Sequence, residues 1–273
     1  MSIAVAALHI YPVKGLKGIS LEAARCTDRG LEHDRRWMVV DREGTFISQR
    51  SHPKMATIWT EIEGDDKLIL SAPDVDSVEL PLEIERPGSV NVTVWSSTVK
   101  AAPAPHAASA WLSECLGEEC FLVFMPDSTT RHSNPRYAGY NRRVGFADGY
   151  ALLVVGEASL ADLNARLLAK GHPALPMNRF RPNVVVSGAA PFAEDTWKRV
   201  RIADAVIESA KPCGRCQVTT TDQSTGEVRG PEPLATLAGY RDSKEFGVMF
   251  GMNFVAVSPG SIRVHDPLHI ETA

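Results

Sequence analysis

The sequence lacks most of what would tie it to a nucleic acid, a membrane or an oxidising compartment. Its 273 residues carry 29 Lys and Arg against 33 Asp and Glu, a net charge of −4, so the basic surplus of a general nucleic-acid binder is missing. No stretch approaches the roughly 20 apolar residues that cross a bilayer. The first apolar stretch, residues 3–8, is cut by His9 and has neither a basic leader nor a small-residue cleavage site, so no secretory signal is expected. Cysteine is sparse: Cys26, Cys115, Cys120, Cys213 and Cys216 are odd in number and scattered. That is no disulfide framework, and a reducing, cytoplasmic setting is expected. Repeats and low-complexity tracts are absent as well. What remains is 44% hydrophobic and 23% charged, ordinary for a folded chain and enough for one large or two ordinary domains at roughly 100–200 residues each.

The first 125 residues read mainly as strands. Three hairpins are expected: 37–40 with 45–48 around the turn 41–44, 58–62 with 67–71 around 64–66, and 90–95 with 98–101 around Ser96-Ser97. An Ala-rich segment, 107–116, followed by Gly117, predicts a short helix with a left-handed cap, and 121–124 predicts a buried strand. Residues 126–149 break the pattern, with Arg131, His132, Arg136, Arg142, Arg143 and two Tyr but almost no aliphatic residue. Such a loop is either a plain linker or a lid. Beyond it, 152–155 predicts a strand and 157–170 an amphipathic helix with Leu160, Leu163, Leu167 and Leu168 on one face, stopped by Gly171. Strands are then expected at 183–187, 200–203, 206–209, 217–221, 253–257, 261–264 and 268–270, with a short helix after Pro233 ending before Tyr240. Many short strands joined by Gly and Pro turns point to a barrel or sandwich.

The chemistry is concentrated in Lys211-Pro212-Cys213-Gly214-Arg215-Cys216-Gln217. A cysteine is a nucleophile or a metal ligand as the thiolate, and a neighbouring Arg favours that form. Thiolate sulfur selects soft or borderline metals. A structural zinc site needs a second pair of ligands that the sequence does not supply. A thioredoxin-type redox pair belongs at a strand-to-helix junction, whereas here a Val-Thr-Thr-Thr run suggests a strand. Two thiols packed as small apolar groups also remain open.

Three further segments look suited to an anion. Tyr11-Pro12-Val13-Lys14-Gly15-Leu16-Lys17-Gly18 ends a strand with two Lys and two Gly, which fits either a ligand approach or an ordinary solvated turn. Asp34-Arg35-Arg36-Trp37 enters a strand, where alternation turns one Arg toward the protein body, with Asp34 as its nearest anionic partner. Phe180-Arg181-Pro182-Asn183 opens another buried strand.

With Gly156-Glu157-Ala158-Ser159-Leu160, Glu194-Asp195-Thr196-Trp197, Thr225-Gly226 and Phe250-Gly251, these segments run in order from end to end. Together they resemble the MOSC-domain family with its MOSC N-terminal β-barrel domain, in the layout of the mitochondrial amidoxime-reducing component and its bacterial counterparts. The resemblance implies an α+β, mainly β fold: an N-terminal β-rich domain over 1–125, the loop 126–149, and a MOSC β-barrel with peripheral helices over 150–273.

It also implies a molybdenum cofactor (Mo-molybdopterin), a phosphorylated pterin dithiolene. Cys216 matches the family's metal ligand and would be the catalytic position, and Gly214 and Arg215 match cofactor contacts. Lys14, Gly15 and Arg35 match positions on the pterin and phosphate, Arg181 and Asn183 the Arg-Pro-Asn pair, and Gly149 and Tyr150 backbone contacts. Asn253 stands where the mitochondrial proteins have Tyr, and Gly15 where the family has Ser. Cys213 has no role in the resemblance and reads as a packed or supporting thiol. The implied activity is reduction of N-hydroxylated substrates, with the redox chemistry supplied by the cofactor. Asp222 and His132 are the candidate proton donors. The cysteine spacing of a fused ferredoxin is missing, so a separate electron donor of ferredoxin, flavodoxin or cytochrome type is expected, with no nucleic-acid or membrane partner. The alternatives are a sulfur-carrier or sulfurtransferase module with a persulfide on Cys216, and a non-catalytic cofactor carrier.

Overall fold

Alternation of apolar and polar residues builds the fold out of strands. A computed structural model describes residues 2–84 and 89–271; Met1, 85–88, 272 and 273, which fall within the expected domain bounds, lie outside the described residues. The largest sheet runs Leu268–Glu271, Arg199–Ile202, Ala205–Gly214, Gly247–Ser258, Leu152–Gly156, Val184–Ser187, Ala4–Ile10 and Ile19–Leu21, with Asp242–Ser243 added beside Gly247–Ser258. Leu152–Gly156 and Val184–Ser187 are parallel, joined through the helix Glu157–Ala169. Val184, Val186, Leu152, Val154, Val5 and Leu8 are buried in its core. The first strand of the chain is therefore hydrogen-bonded into the sheet of the second half, and Ala23–Thr27 pairs with Gly260–Arg263 near the other end.

A second sheet orders Val90–Val94, Ser97–Pro103, Phe121–Phe124, Trp37–Val40 and Val13–Lys14. A third, Trp59–Glu63, Lys67–Ala72 and Val75–Pro81, covers a core of Leu68, Leu70, Trp37, Leu112 and Phe124. The helix His106–Leu116 packs into the same core and ends at Gly117 with φ 72°, as its sequence predicts. The result is a mainly β, α+β protein with a β-built N-terminal part.

Several local expectations are corrected. Residues 217–221 are not a strand: Gln217–Thr220 is a 3-10 helix. The Thr219 and Thr220 hydroxyls donate to the carbonyls of Cys216 and Gln217 at 3.0 and 2.7 Å, and this local bonding overrides the β preference of threonine. The strands before and after are longer than expected. Ala205–Gly214 carries Cys213 at its end, and Gly247–Ser258 pairs with it through three register shifts, bulges that bend the pair. The limb 45–48 makes only isolated bridges. In the third hairpin Val94 pairs with Ser97, so Trp95-Ser96 is the turn, and Trp95 is left-handed at φ 56°. Leu168 is exposed while Leu163 and Leu167 are buried, because one residue past Leu167 rotates about 100° around the helix. The last helix, Leu234–Arg241, includes Tyr240.

Candidate functional site

The ends of Val13–Lys14, Leu152–Gly156 and Ala205–Gly214 and the middle of Gly247–Ser258 converge on one cleft of about 950 Å³, its open mouth included, which is within the range of small-molecule sites. Lys14, Gly15, Arg35, Gly149, Tyr150, Arg181, Asn183, Gly214, Arg215, Cys216 and Asn253 all line it. Positions as far apart in sequence as 14 and 253 therefore share one cleft.

The cationic wall is built first by burial. Lys14 donates to the Phe146 carbonyl at 2.9 Å and to the Asp148 carboxylate. Burial pushes the Lys14 ammonium below its ordinary pKa, against the upward pull of Asp148. Arg35 and Arg36 diverge as the alternation predicts. Arg36 donates to the Met125 carbonyl at 2.7 Å beside Phe124, whereas Arg35 turns to the cleft. Its Nη1 donates to Asp34 Oδ2 at 2.7 Å and Asn183 Oδ1 at 3.0 Å, and its Nη2 to the Arg181 carbonyl at 3.2 Å. Burial works against the Arg35 charge, and the Asp34 carboxylate more than offsets it, so Arg35 stays fully protonated.

Asn183 joins the wall to the large sheet: its Oδ1 also accepts from Leu153 N at 3.1 Å, and its Nδ2 donates to the His9 carbonyl at 3.2 Å. Arg35 and Arg181 both hold left-handed backbone, φ 47° and 54°, a conformation that costs non-glycine residues about 1–3 kcal/mol and clusters at functional sites. Burial lowers the Arg181 pKa to about 10.

Two donors on this lining are orphans. Arg181 Nη2 and Arg215 Nε are buried with no hydrogen-bond partner. A buried donor without an acceptor costs about 1–3 kcal/mol, and more when charged. Their position on a cleft lined by six Lys and Arg side chains points to an acceptor from outside, an anion.

The thiol wall is more open. Cys216 is exposed and Cys213 half-buried. Arg215, fixed by its N–H to the Val248 carbonyl at 2.7 Å, sends Nη1 to Cys213 Sγ at 2.8 Å and Nη2 to the Phe180 carbonyl at 2.5 Å. The guanidinium therefore supports Cys213 and leaves the Cys216 sulfur free at the cleft. Gly214 is required where it stands, since a Cβ there would lie 2.3 Å from the Phe246 carbonyl oxygen. Gly15 is left-handed at φ 89°, and a Cβ on it would press on Met55 Cε at 2.8 Å. Beside Gly149 the space is open, with nothing within 4 Å of an added Cβ. Asn253 Nδ2 reaches the Pro212 carbonyl at 3.5 Å, beneath the cysteine-bearing strand.

Neither candidate proton donor lines the cleft. His132 is exposed and bridges to Arg143. Asp222 accepts from Ser224 Oγ and N at 2.5 and 2.9 Å, bonds that hold its carboxyl below the usual range with help from Arg179, so it is an acceptor with no proton to give. Among the described residues no three His, Cys, Asp or Glu gather as metal ligands, and the zinc reading finds no second half.

The sequence reading missed Asp148, Arg50, Arg179, Gln49 and Gln223. Gln49 Nε2 donates to Gln223 Oε1 at 3.1 Å and to the Gly15 carbonyl at 2.7 Å, and Gln223 Nε2 returns a bond to Gln49 Oε1 at 2.8 Å. Only their burial marks them, and polar flanking residues conceal it. Asp148, beside Gly149 in the chain, was the most findable, as a carboxylate next to an expected cationic pocket.

A β-built cleft that combines cations, unpaired donors and an exposed cysteine sulfur suits an anionic ligand bearing a soft metal. Comparison with known proteins agrees in order along the chain: the MOSC N-terminal beta barrel domain matches residues 2–119 and the MOSC domain residues 141–269. The chain belongs to the MOSC-domain family. It is 36% identical over 285 residues to mitochondrial amidoxime-reducing component 1 of Mus musculus, covering 97% of this chain and 82% of that one. The Homo sapiens counterpart is 33% identical over 282 residues at the same coverage. Molybdenum cofactor sulfurase of Oryza sativa subsp. japonica is 35% identical over 260 residues, covering 89% of this chain and 31% of that one.

Proposed function

We propose that this chain is a molybdenum-cofactor-dependent oxidoreductase that reduces N-hydroxylated substrates. The observation that carries the reading is the meeting of Lys14, Arg35, Arg181 and the exposed Cys216 on one cleft, in a chain similar over 97% of its length to amidoxime-reducing components. The residues fit the group. Phosphate takes charge-assisted bonds from Lys and Arg, Arg181 Nη2 and Arg215 Nε are buried without acceptors, and molybdenum takes a soft sulfur ligand.

Lys14, Arg35 and Arg181 would hold the anionic end, with Gly15 offering backbone only. Asn183 keeps Arg35 in place from the floor of the large sheet. Gly149, Tyr150, Gly214 and Asn253 would line the ring system, and Cys216 would hold the metal. When bound, the cofactor supplies the two-electron chemistry that removes oxygen from an N–O group. Arg215, tied to Cys213 and Phe180, holds its guanidinium beside the thiol turn without capping the Cys216 sulfur. The loop 126–149 serves as the connection between the 1–125 and 150–273 parts and brings residues 147–149 to the cleft; buried Arg131, bonded to the Gly145, Ala147 and Asp148 carbonyls at 2.6–2.8 Å, fixes that stretch.

Electrons come from a separate donor protein of ferredoxin, flavodoxin or cytochrome type, and the setting is cytoplasmic. No helix among the described residues is long and apolar enough to cross a membrane. The test is turnover of an N-hydroxylated amidine by molybdenum-loaded protein with an artificial reductant. Reduction at a rate that scales with bound molybdenum supports the reading, and loaded protein without turnover leaves only a carrier. The exposure of Cys216 and the similarity to the rice sulfurase favour sulfur transfer as the second reading, which cyanide-releasable sulfur on Cys216 in metal-free protein would reveal.

A further inference from the structure

Tyr11 is almost completely buried, 4% exposed, yet its ring carries no role in the reading above. The Arg35 guanidinium carbon lies 4.3 Å from the centre of that ring and the Arg181 carbon 4.1 Å. The rest of Tyr11 ties both arginines to the fold. Its N–H donates to Asp34 Oδ1 at 2.8 Å, its carbonyl accepts from Arg35 N at 2.8 Å, and its hydroxyl donates to the Pro182 carbonyl at 3.1 Å, next to Arg181. Gly18 is the price of the ring's position, since a Cβ there would lie 2.5 Å from the ring carbon Cε1.

Two like charges held side by side in a half-buried site repel each other, and their desolvation is costly. Asp34 pairs with Arg35, while Arg181 has one fork nitrogen with no partner. An electron-rich ring face attracts a guanidinium more strongly the less water surrounds it. We propose that Tyr11 is a positioning residue, whose ring holds Arg35 and Arg181 together as a preformed pair for one anionic ligand of the phosphate class. Simple core packing would bury the ring equally well, but it gives no reason for two cations to gather on it.

The proposal rests on the anion-binding part of the function above and is independent of the metal. Its test uses the full chain purified without cofactor, with inorganic pyrophosphate as the probe, read as a rise in Tm and as a half-saturation concentration by calorimetric titration. Tyr11→Phe should bind within about twofold of the wild type, because it keeps the ring. Tyr11→Leu should bind about tenfold more weakly. Because the Leu variant risks misfolding, a second series places mono-, tri- and pentafluorinated phenylalanine at position 11. Fluorine drains the ring face with little change in volume, so binding should weaken stepwise while Tm without ligand stays level. A flat fluorine series, a folded Leu variant that binds like the wild type, or a wild type that pyrophosphate does not stabilise would each overturn the proposal. A chain that binds pyrophosphate through Tyr11 yet never loads molybdenum would support this inference and remove the reductase reading.

Discussion

On one wall of the cleft, Lys14 is buried and Arg35 half-buried, and each is anchored by at least two internal acceptors. On the other, Cys216 is exposed at the start of a 3-10 turn, and the nearby guanidinium is spent on Cys213 and Phe180. The cationic wall is costly to assemble and cross-linked by its own hydrogen bonds, as expected of a surface that must recognise one charge pattern. The thiol wall leaves its reactive atom unengaged, as expected of a position that must accept a ligand and remain accessible. On the proposed reading, affinity and reactivity would fall to different parts of the chain, the first and third quarters for the cations and the last third for the sulfur.

The substitution that separates the walls most sharply is Cys216→Ala. It should reduce bound molybdenum and N-reduction to background, while pyrophosphate affinity stays within about twofold; elemental analysis and calorimetric titration read the two halves. Next in size is Asp34→Ala on the cationic wall. It leaves Arg35 half-buried without its counter-ion and Tyr11 N without its acceptor, and breaking such a buried pair costs about 3–5 kcal/mol, seen in urea unfolding. If Asp34→Ala unfolded at the wild-type midpoint, the claim that Asp34 holds this wall together would fail.

A smaller effect is expected from Asp148→Asn. The Lys14 pKa is already lowered by burial, and Asp148 is the main group raising it. Removing the carboxylate moves the Lys14 pKa further down, so the ammonium is lost at a lower pH. Anion binding that needs the charged form should therefore weaken at lower pH in the variant than in the wild type as pH rises, and be unchanged well below both pKa values. The shift should be modest, since the Asp148 side chain is 71% exposed and solvent screens it. The smallest effect belongs to Cys213→Ala, which removes one of the two anchors of Arg215. Turnover should fall by a few fold, with Cys213→Ser restoring most of it; a complete loss of metal would mean that Cys213 is itself a ligand.

The parts of the fold legible in the sequence are those where local pattern and tertiary packing agree. The turn residues Gly64-Asp65-Asp66 set the hairpin, and Trp59–Glu63 pairs with Lys67–Ala72 where they put it. Where a local bond outweighs propensity, the pattern misleads: the Thr219 and Thr220 hydroxyls turn the expected strand into a 3-10 helix. The Trp95 turn moves by one residue because the indole bonds Asp148 at 3.0 Å and stacks with Arg50, contacts that offset its left-handed backbone. At the site, ordered segments around Lys14, Arg35, Arg181 and Cys216 single out residues that the fold places on one cleft. Their geometry was not legible. Left-handed arginines contradict every local preference, and the Gln49–Gln223 amide pair joins residues 174 apart in sequence.

The most direct measurement is the molybdenum content of the full chain purified from a host that makes the molybdenum cofactor, alongside Cys216→Ala treated identically. The account predicts close to equimolar metal in the first and close to none in the second. A wild-type chain without molybdenum, or a Cys216→Ala chain that retains it, would contradict it.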